Sequence, residues 1–178
     1  LPFGRVEFNQ MSGRAGRDGL AACVHLLFGG RDVRLNEKIL SAGAPARADL
    51  VALWRALVSL SRAAHGAFAL NVEQLVAMAA QCDPAHPLDP SEVESGVAVF
   101  AELGFLSVEG FGDSRRVRMA PSPEHMDLER SVRYLEGLQG RDEFADFCDW
   151  VLHCPLEELL AHVTRPIAPS FGAVVGKV

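Results

Sequence analysis

The chain has 178 residues, which at roughly 150 residues per domain makes one domain or two small ones, enough for a packed core and too few for a large enzyme. Hydrophobic residues make up 49% and charged residues 22%; no uninterrupted apolar run approaches the roughly 18 residues of a membrane span, which excludes membrane enzymes and sets the expectation of a soluble, cytoplasmic globular chain. The net charge of -6 is the sum of unlike parts: residues 1–65 hold nine Lys/Arg against five Asp/Glu, a balance of +4, and residues 66–178 hold eight against eighteen, a balance of -10. A basic front joined to an acidic back suggests two faces with different partners.

The opening Leu1-Pro2-Phe3 has no initiator Met, no basic n-region and no apolar h-region, so the expectation is a piece of a longer protein. From Arg5, the positions Val6, Phe8 and Met11 suit a short helix that breaks at the glycine-rich Gly13-Arg14-Ala15-Gly16-Arg17-Asp18-Gly19. Ala21 to Phe28 is a nearly continuous apolar run closed by Gly29-Gly30, which predicts a mostly buried strand of a parallel or mixed sheet. Asp32 as N-cap opens a helix through Leu35, Ile39 and Leu40 that ends at Gly43 and Pro45.

A second helix runs from about Ala48 to Gly66, with Leu50, Leu53, Trp54, Leu57, Val58 and Leu60 at helical spacing. A short extended piece, Ala67 to Leu70, precedes Asn71 as N-cap of a helix through Leu75 and Met78; a proline-rich loop and a longer helix from Ser91 to Leu103 come next. Phe105 to Val108 then pairs with Arg116 to Met119 across Gly110-Phe111-Gly112-Asp113-Ser114 as a hairpin. The order helix, short strand, helix, helix, hairpin is that of a winged helix-turn-helix, over roughly 48 to 120. Beyond the Pro121-Ser122-Pro123 break, three amphipathic helices are predicted, Asp127 to Leu138, Asp142 to His153 and Pro155 to His162, with Phe144, Phe147, Cys148 and Val151 on one face of the middle one. The tail after Pro166 frays.

Cys23, Cys82, Cys148 and Cys154 include no C-x2-C pair, so small buried hydrophobes in a reducing cytosol are expected and no metal framework emerges. The histidines show no paired-ligand spacing, and surface or capping roles suffice for them.

One constellation carries chemistry. In Gln10-Met11-Ser12-Gly13-Arg14-Ala15-Gly16-Arg17-Asp18-Gly19 two arginines three residues apart sit between glycines. A guanidinium is a rigid five-donor fork that matches phosphate oxygens and can stabilise charge developing in phosphoryl transfer. As bare composition the same string is equally a solvated Arg/Gly turn. The full string resembles the sixth motif of superfamily 2 helicases, specifically the RecQ-like branch. That resemblance implies that Gln10, Arg14 and Arg17 face a nucleotide between two RecA-like lobes, with Arg17 as arginine finger, and that only the end of the second lobe is present here.

Beyond this motif the chain is similar to the C-terminal domain of RecJ, the single-strand-specific DNA exonuclease, through Val24 to Gly29, Asp32 to Leu40, Pro45 to Leu57 and the helices from Leu128 to Leu160. The metal-binding motifs of RecJ, the zinc module of RecQ and the G-x-x-x-x-G-K-[ST] phosphate loop have no counterpart in these residues; Gly172 to Lys177 imitates the last but is one residue short. No nuclease or ATPase centre is therefore assigned to this chain, and no cofactor is assigned to it either; ATP or a divalent metal (Mg or Mn) belongs to the parent the resemblance implies.

The winged module has mixed electrostatics. Its presumed recognition helix carries Asp89, Glu92, Glu94 and Glu102 and no base, which would repel a duplex. On the hairpin, Arg115, Arg116 and Arg118 cluster beside Phe111 at the tip, a set that could grip phosphates and stack on a base. The alternative is a protein-packing winged helix with a solvated hairpin.

The expected fold is thus mostly α with small β: 1–45 the end of a RecA-like helicase C-terminal lobe, 46–120 a winged helix, 121–165 a C-terminal helical extension and 166–178 a flexible tail. Three functions stay open: an accessory fragment of a RecJ-like exonuclease in DNA repair and recombination, the C-terminal part of a RecQ-like ATP-dependent helicase, or a protein-interaction module. The partners they imply are single-stranded DNA, upstream catalytic domains of the same protein, and a protein bound through the acidic C-terminal helices; no membrane is among them.

Overall fold

A computed structural model describes residues 1–16, 20, 22–82, 84, 87–121 and 127–164, the last three without their side chains. Helices α1 (Arg5–Ser12), α2 (Gly30–Gly43) and α3 (Arg47–Ala64) are followed by strand β1 (Phe68–Ala69), helices α4 (Val72–Cys82) and α5 (Pro90–Glu102), strands β2 (Leu106–Glu109) and β3 (Arg116–Met119), and helices α6 (Val132–His153) and α7 (Leu156–Thr164). The protein is mostly helical with one small antiparallel sheet, as its periodicities lead one to expect. No helix among the described residues is long and apolar enough to cross a membrane. Contacts divide the chain into two compact units, Gly29–Asp142 and a second made of Leu1–Phe28 with Glu143–Val178. These boundaries differ from the ones expected near 45 and 120.

In the Gly29–Asp142 unit, α2 begins earlier than Asp32. Gly29 is the N-cap, and Asp32, three residues on, accepts its N–H at 2.8 Å. Asp49 does the same for the Ala46 N–H at 3.0 Å at the start of α3. Leu50, Leu53 and Leu57 recur on one face of α3 and are buried with Ala52 and Ala56, the stripe a core-facing helix requires. α3 stops at His65, which takes a left-handed cap at φ 51°. Asn71 caps α4 by accepting the Gln74 N–H at 2.8 Å.

The sheet has the order β1-β3-β2; Phe68 lies opposite Val117, and the hairpin pairs Leu106 with Met119 and Glu109 with Arg116. Leu75, Val93, Val99, Phe100 and Val117 are fully buried between the helices and the inner face of this sheet. Trp54 packs edge-on against Phe100 and Phe105 at 5.1 and 6.0 Å.

The two helices expected over 127–138 and 142–153 are one, α6, preceded by a short 3-10 turn at Leu128–Arg130. Buried Ser131 starts it: its hydroxyl donates to Glu102 at 2.6 Å and accepts the Tyr134 N–H at 3.1 Å. Gly137 and Gly140 do not break the helix. A Cβ on Gly137 would collide with Ala44, and one on Gly140 would lie 3.6 Å from Leu40, so these glycines admit a close approach of α2. Arg141 donates to the Ala44 carbonyl and Ser95 to the Ala42 carbonyl, both at 2.6 Å, satisfying groups that a helix C-terminus leaves without intrahelical partners.

The second unit gathers Phe8 of α1 with Phe147 and Trp150 of α6. Phe8 lies 5.9 Å from Phe147 and 5.8 Å, edge-on, from Trp150, and Phe3 lies 6.1 Å from Phe144. The Arg5 guanidinium stacks 4.7 Å above the Trp150 ring, whose Nε1 donates to Glu158 at 3.0 Å. α7 starts one residue after Pro155, whose carbonyl accepts the Leu159 N–H.

The strand expected over Ala21 to Phe28 does not form over its described residues, 22–28. A strand needs a neighbour for its backbone N–H and C=O groups, and among the described residues of this unit there is none. Its side chains stay outside: Val24 is 40% and Leu27 88% exposed. Cys23 is exposed for the same reason and Cys82 is exposed near the end of α4, while Cys148 and Cys154 are half-buried; the expected burial of cysteines fails for the first two.

Candidate nucleic-acid interface

The loop between β2 and β3 is built from its own hydrogen bonds. Gly110 takes φ +89°, and a Cβ there would lie 2.8 Å from the Ser114 carbonyl oxygen, so this tight turn requires glycine. The Phe111 carbonyl accepts the Ser114 hydroxyl at 2.7 Å and the Ser114 N–H at 3.1 Å. With its backbone tied down, Phe111 presents a ring that is 92% exposed.

Strand alternation separates the three arginines that stand together in the sequence. Val117 is buried, so Arg116 and Arg118 point to the open face of the sheet and both are exposed. Arg115, on the Val117 side, reaches back to α5, where its two Nη atoms donate to the Glu94 carboxylate at 2.7 and 2.5 Å and its Nε to the Gly112 carbonyl at 3.1 Å. Arg116 donates to the Ala67 carbonyl at 3.1 Å and lies opposite Glu109 across the hairpin. Arg118, opposite Ser107, makes no side-chain hydrogen bond or ion pair among the described residues. Phe111, Arg116 and Arg118 therefore remain open to a ligand, and Arg115 is already committed.

The acids of α5 read as a repelling face are each bonded within the protein. Asp89 is the N-cap: it accepts the Ser91 N–H at 3.2 Å and pairs with Lys38 of α2 at 3.0 Å, while Glu92 accepts the Asp89 N–H at 2.8 Å to complete a capping box. The hydrogen bond from Lys38, followed by those from Ser91, holds the Asp89 carboxyl down at about 2, and the same contact raises Lys38. The Arg115 hydrogen bonds hold Glu94 below the ordinary carboxylate range and raise Arg115. Glu102 is lowered by the Ser131 hydroxyl, with the Val132 N–H adding to it at 2.8 Å.

Sequence reasoning missed Glu94 and Lys38 as partners. Parity along β3 places Arg115 on the side of Val117, and Asp89-Pro90-Ser91-Glu92 ahead of an apolar run is a cap signature; both signals were available. Beneath the hairpin loop lies a cleft of about 500 Å³ lined by Leu70, Val72, Glu73, Ser91, Glu94 and Asp113, among others.

In the other unit, Gln10 is exposed near the end of α1 and Arg14 is exposed in the turns that prolong it, through Ala15 N–H to the Ser12 carbonyl at 3.0 Å. The Ser12 hydroxyl closes back onto the Phe8 carbonyl at 2.7 Å. Arg17, Gly172 to Lys177, and His86 and His125 lie outside the described residues, as does the side chain of His162. Of the other histidines, His65 caps α3, and exposed His153 contacts Asp149 at 3.0 Å.

Comparison of the chain with protein-family models, curated proteins and solved structures finds no match. The resemblances of Gln10 to Gly19 and of the segments after it rest on those residues alone.

Proposed function

We infer that the Gly29–Asp142 unit is a winged-helix module whose wing, the loop between β2 and β3, grips single-stranded DNA, in a chain that serves as a C-terminal accessory segment of a RecJ-like exonuclease. The observation that carries this reading is a 92% exposed Phe111 on the hairpin loop followed by two exposed arginines, Arg116 and Arg118, on the strand that leaves it. An aromatic ring stacks on any base and guanidinium groups neutralise phosphates, the combination by which single strands are held without sequence preference. α5 and its N-cap Asp89 bring four acids and no base, so the wing and not that helix meets the nucleic acid, and a single strand suits it better than a duplex groove.

Base–aromatic stacking contributes about 1–3 kcal/mol, so Phe111→Ala weakens binding of a fluorescent oligothymidylate at least about fivefold. Because the ring touches little, the same substitution leaves the thermal midpoint in place. Equal affinity of the variant would remove Phe111 from the site, and no binding by the wild-type chain at low salt would favour a protein-interaction module.

The exposure of Gln10 and Arg14 favours a second reading, a RecQ-like helicase parent in which these residues and Arg17 meet ATP held by an upstream lobe. Arg17→Ala in the intact protein then abolishes DNA-stimulated ATPase; unchanged turnover sinks that reading.

A further inference from the structure

We propose that Glu94, an acidic residue on the helix behind the wing, is a positioning residue for single-stranded DNA: by holding Arg115 it fixes the wing in its gripping pose. The inference rests on the DNA-binding reading of the wing. The Arg115 guanidinium spends all three of its nitrogens inside the protein, Nε on the Gly112 carbonyl of the wing and both Nη on the Glu94 carboxylate. It thereby ties the wing to α5 by a bidentate fork, the geometry in which Arg–carboxylate pairs are most directional. At the other end of the same residue, the Arg115 carbonyl accepts the Leu70 N–H at 2.9 Å. Backbone and side chain of one arginine thus anchor the base of the wing, and the chain on either side of it carries Phe111, Arg116 and Arg118.

Two physical effects give opposite signs for removal of the Glu94 charge. If Glu94 acted only as a negative charge near a polyanion, its neutralisation would tighten DNA binding. If it acts as a clasp, neutralisation leaves the wing to be ordered at the moment of binding, and immobilising side chains and loop then counts against affinity. Glu73 supplies the control. It lines the same cleft, carries the same charge, and has no hydrogen bond or ion pair to the wing among the described residues.

The experiment measures oligothymidylate binding by anisotropy for the wild-type chain, Glu94→Gln and Glu73→Gln, with amide hydrogen exchange over residues 110–116. The expected result is that Glu94→Gln binds about three- to tenfold more weakly and exchanges faster at Phe111 to Arg115. Glu73→Gln binds as tightly as wild type or tighter, with unchanged exchange. The Glu94–Arg115 pair is partly exposed and lies outside the buried core, so its loss loosens the wing and leaves both variants folded, which their thermal midpoints verify. Glu94→Gln binding as well as wild type, or better, overturns the clasp and leaves the DNA reading standing. Absence of binding by the wild-type chain removes the DNA reading and the clasp's role with it.

Discussion

Replacing Gly137 by Ala sets two principles against each other. Helix propensity alone favours Ala over Gly by about 1 kcal/mol in a helix interior such as the middle of α6. The added methyl, however, would fall on the Ala44 side chain and 3.2 Å from the Ala44 Cα. No rotamer change can relieve that overlap, because neither side chain has a rotatable heavy-atom torsion; α6 must move away from α2. Overpacking of this kind costs about 1–3 kcal/mol, and the displacement also stretches the Arg141–Ala44 hydrogen bond, now 2.6 Å, a charged-donor bond that contributes about 1.5–3 kcal/mol. The net expectation is a destabilisation of about 2 kcal/mol, near 6–10 °C in the melting temperature of a unit of this size. Urea denaturation of Gly137→Ala, Ala44→Gly and the double variant checks it: Ala44→Gly opens the space, so the double variant recovers most of the loss. A neutral or stabilised Gly137→Ala, or a double variant whose effects merely add, would refute the packing conflict.

Two further predictions test the bonds around α5. Asp89 is held at about 2 in the folded state by Lys38 and Ser91, below its unfolded value of about 3.9, so the stability it contributes is fully present above pH 4 and is lost as pH falls through 2. Carboxyl NMR titration reads this directly; in Lys38→Met the Asp89 midpoint rises toward its ordinary value, and an unmoved midpoint would dismiss the pairing. Ser131→Ala deletes a buried N-cap that also serves Glu102, so it costs about 1–2 kcal/mol in urea denaturation, and the Glu102 carboxyl titrates closer to its ordinary value. A stability unchanged within error contradicts that assignment.

The hairpin and the helices before it were legible because their signals are local. Asn71 and Gly110 are turn and cap residues whose role depends on the backbone they sit in, and the apolar stripe of Leu50, Leu53 and Leu57 needs only a period. α6 was misjudged because glycine has two uses, ending a helix and admitting a neighbour, and only the position of Ala44 tells which applies at Gly137. The run at 22–28 has the composition of a buried strand, but burial is conferred by partners and not by the segment itself. The acids at α5 look from sequence like a face that repels a duplex, because nothing in a helix's own sequence reveals that Lys38, Arg115 and Ser131 bond to them. On the β2–β3 hairpin, composition grouped three arginines that alternation divides, leaving Arg116 and Arg118 with Phe111 as the candidate site.

The central claim, that this face meets phosphates, is tested most directly by the salt dependence of single-stranded DNA affinity. Each phosphate neutralised on a single strand contributes about 0.7 to the slope of log affinity against log salt. Arg116→Ala/Arg118→Ala is therefore expected to bind oligothymidylate more weakly at low salt with a slope shallower by about 1.4. A double variant with the affinity and slope of the wild-type chain would contradict it.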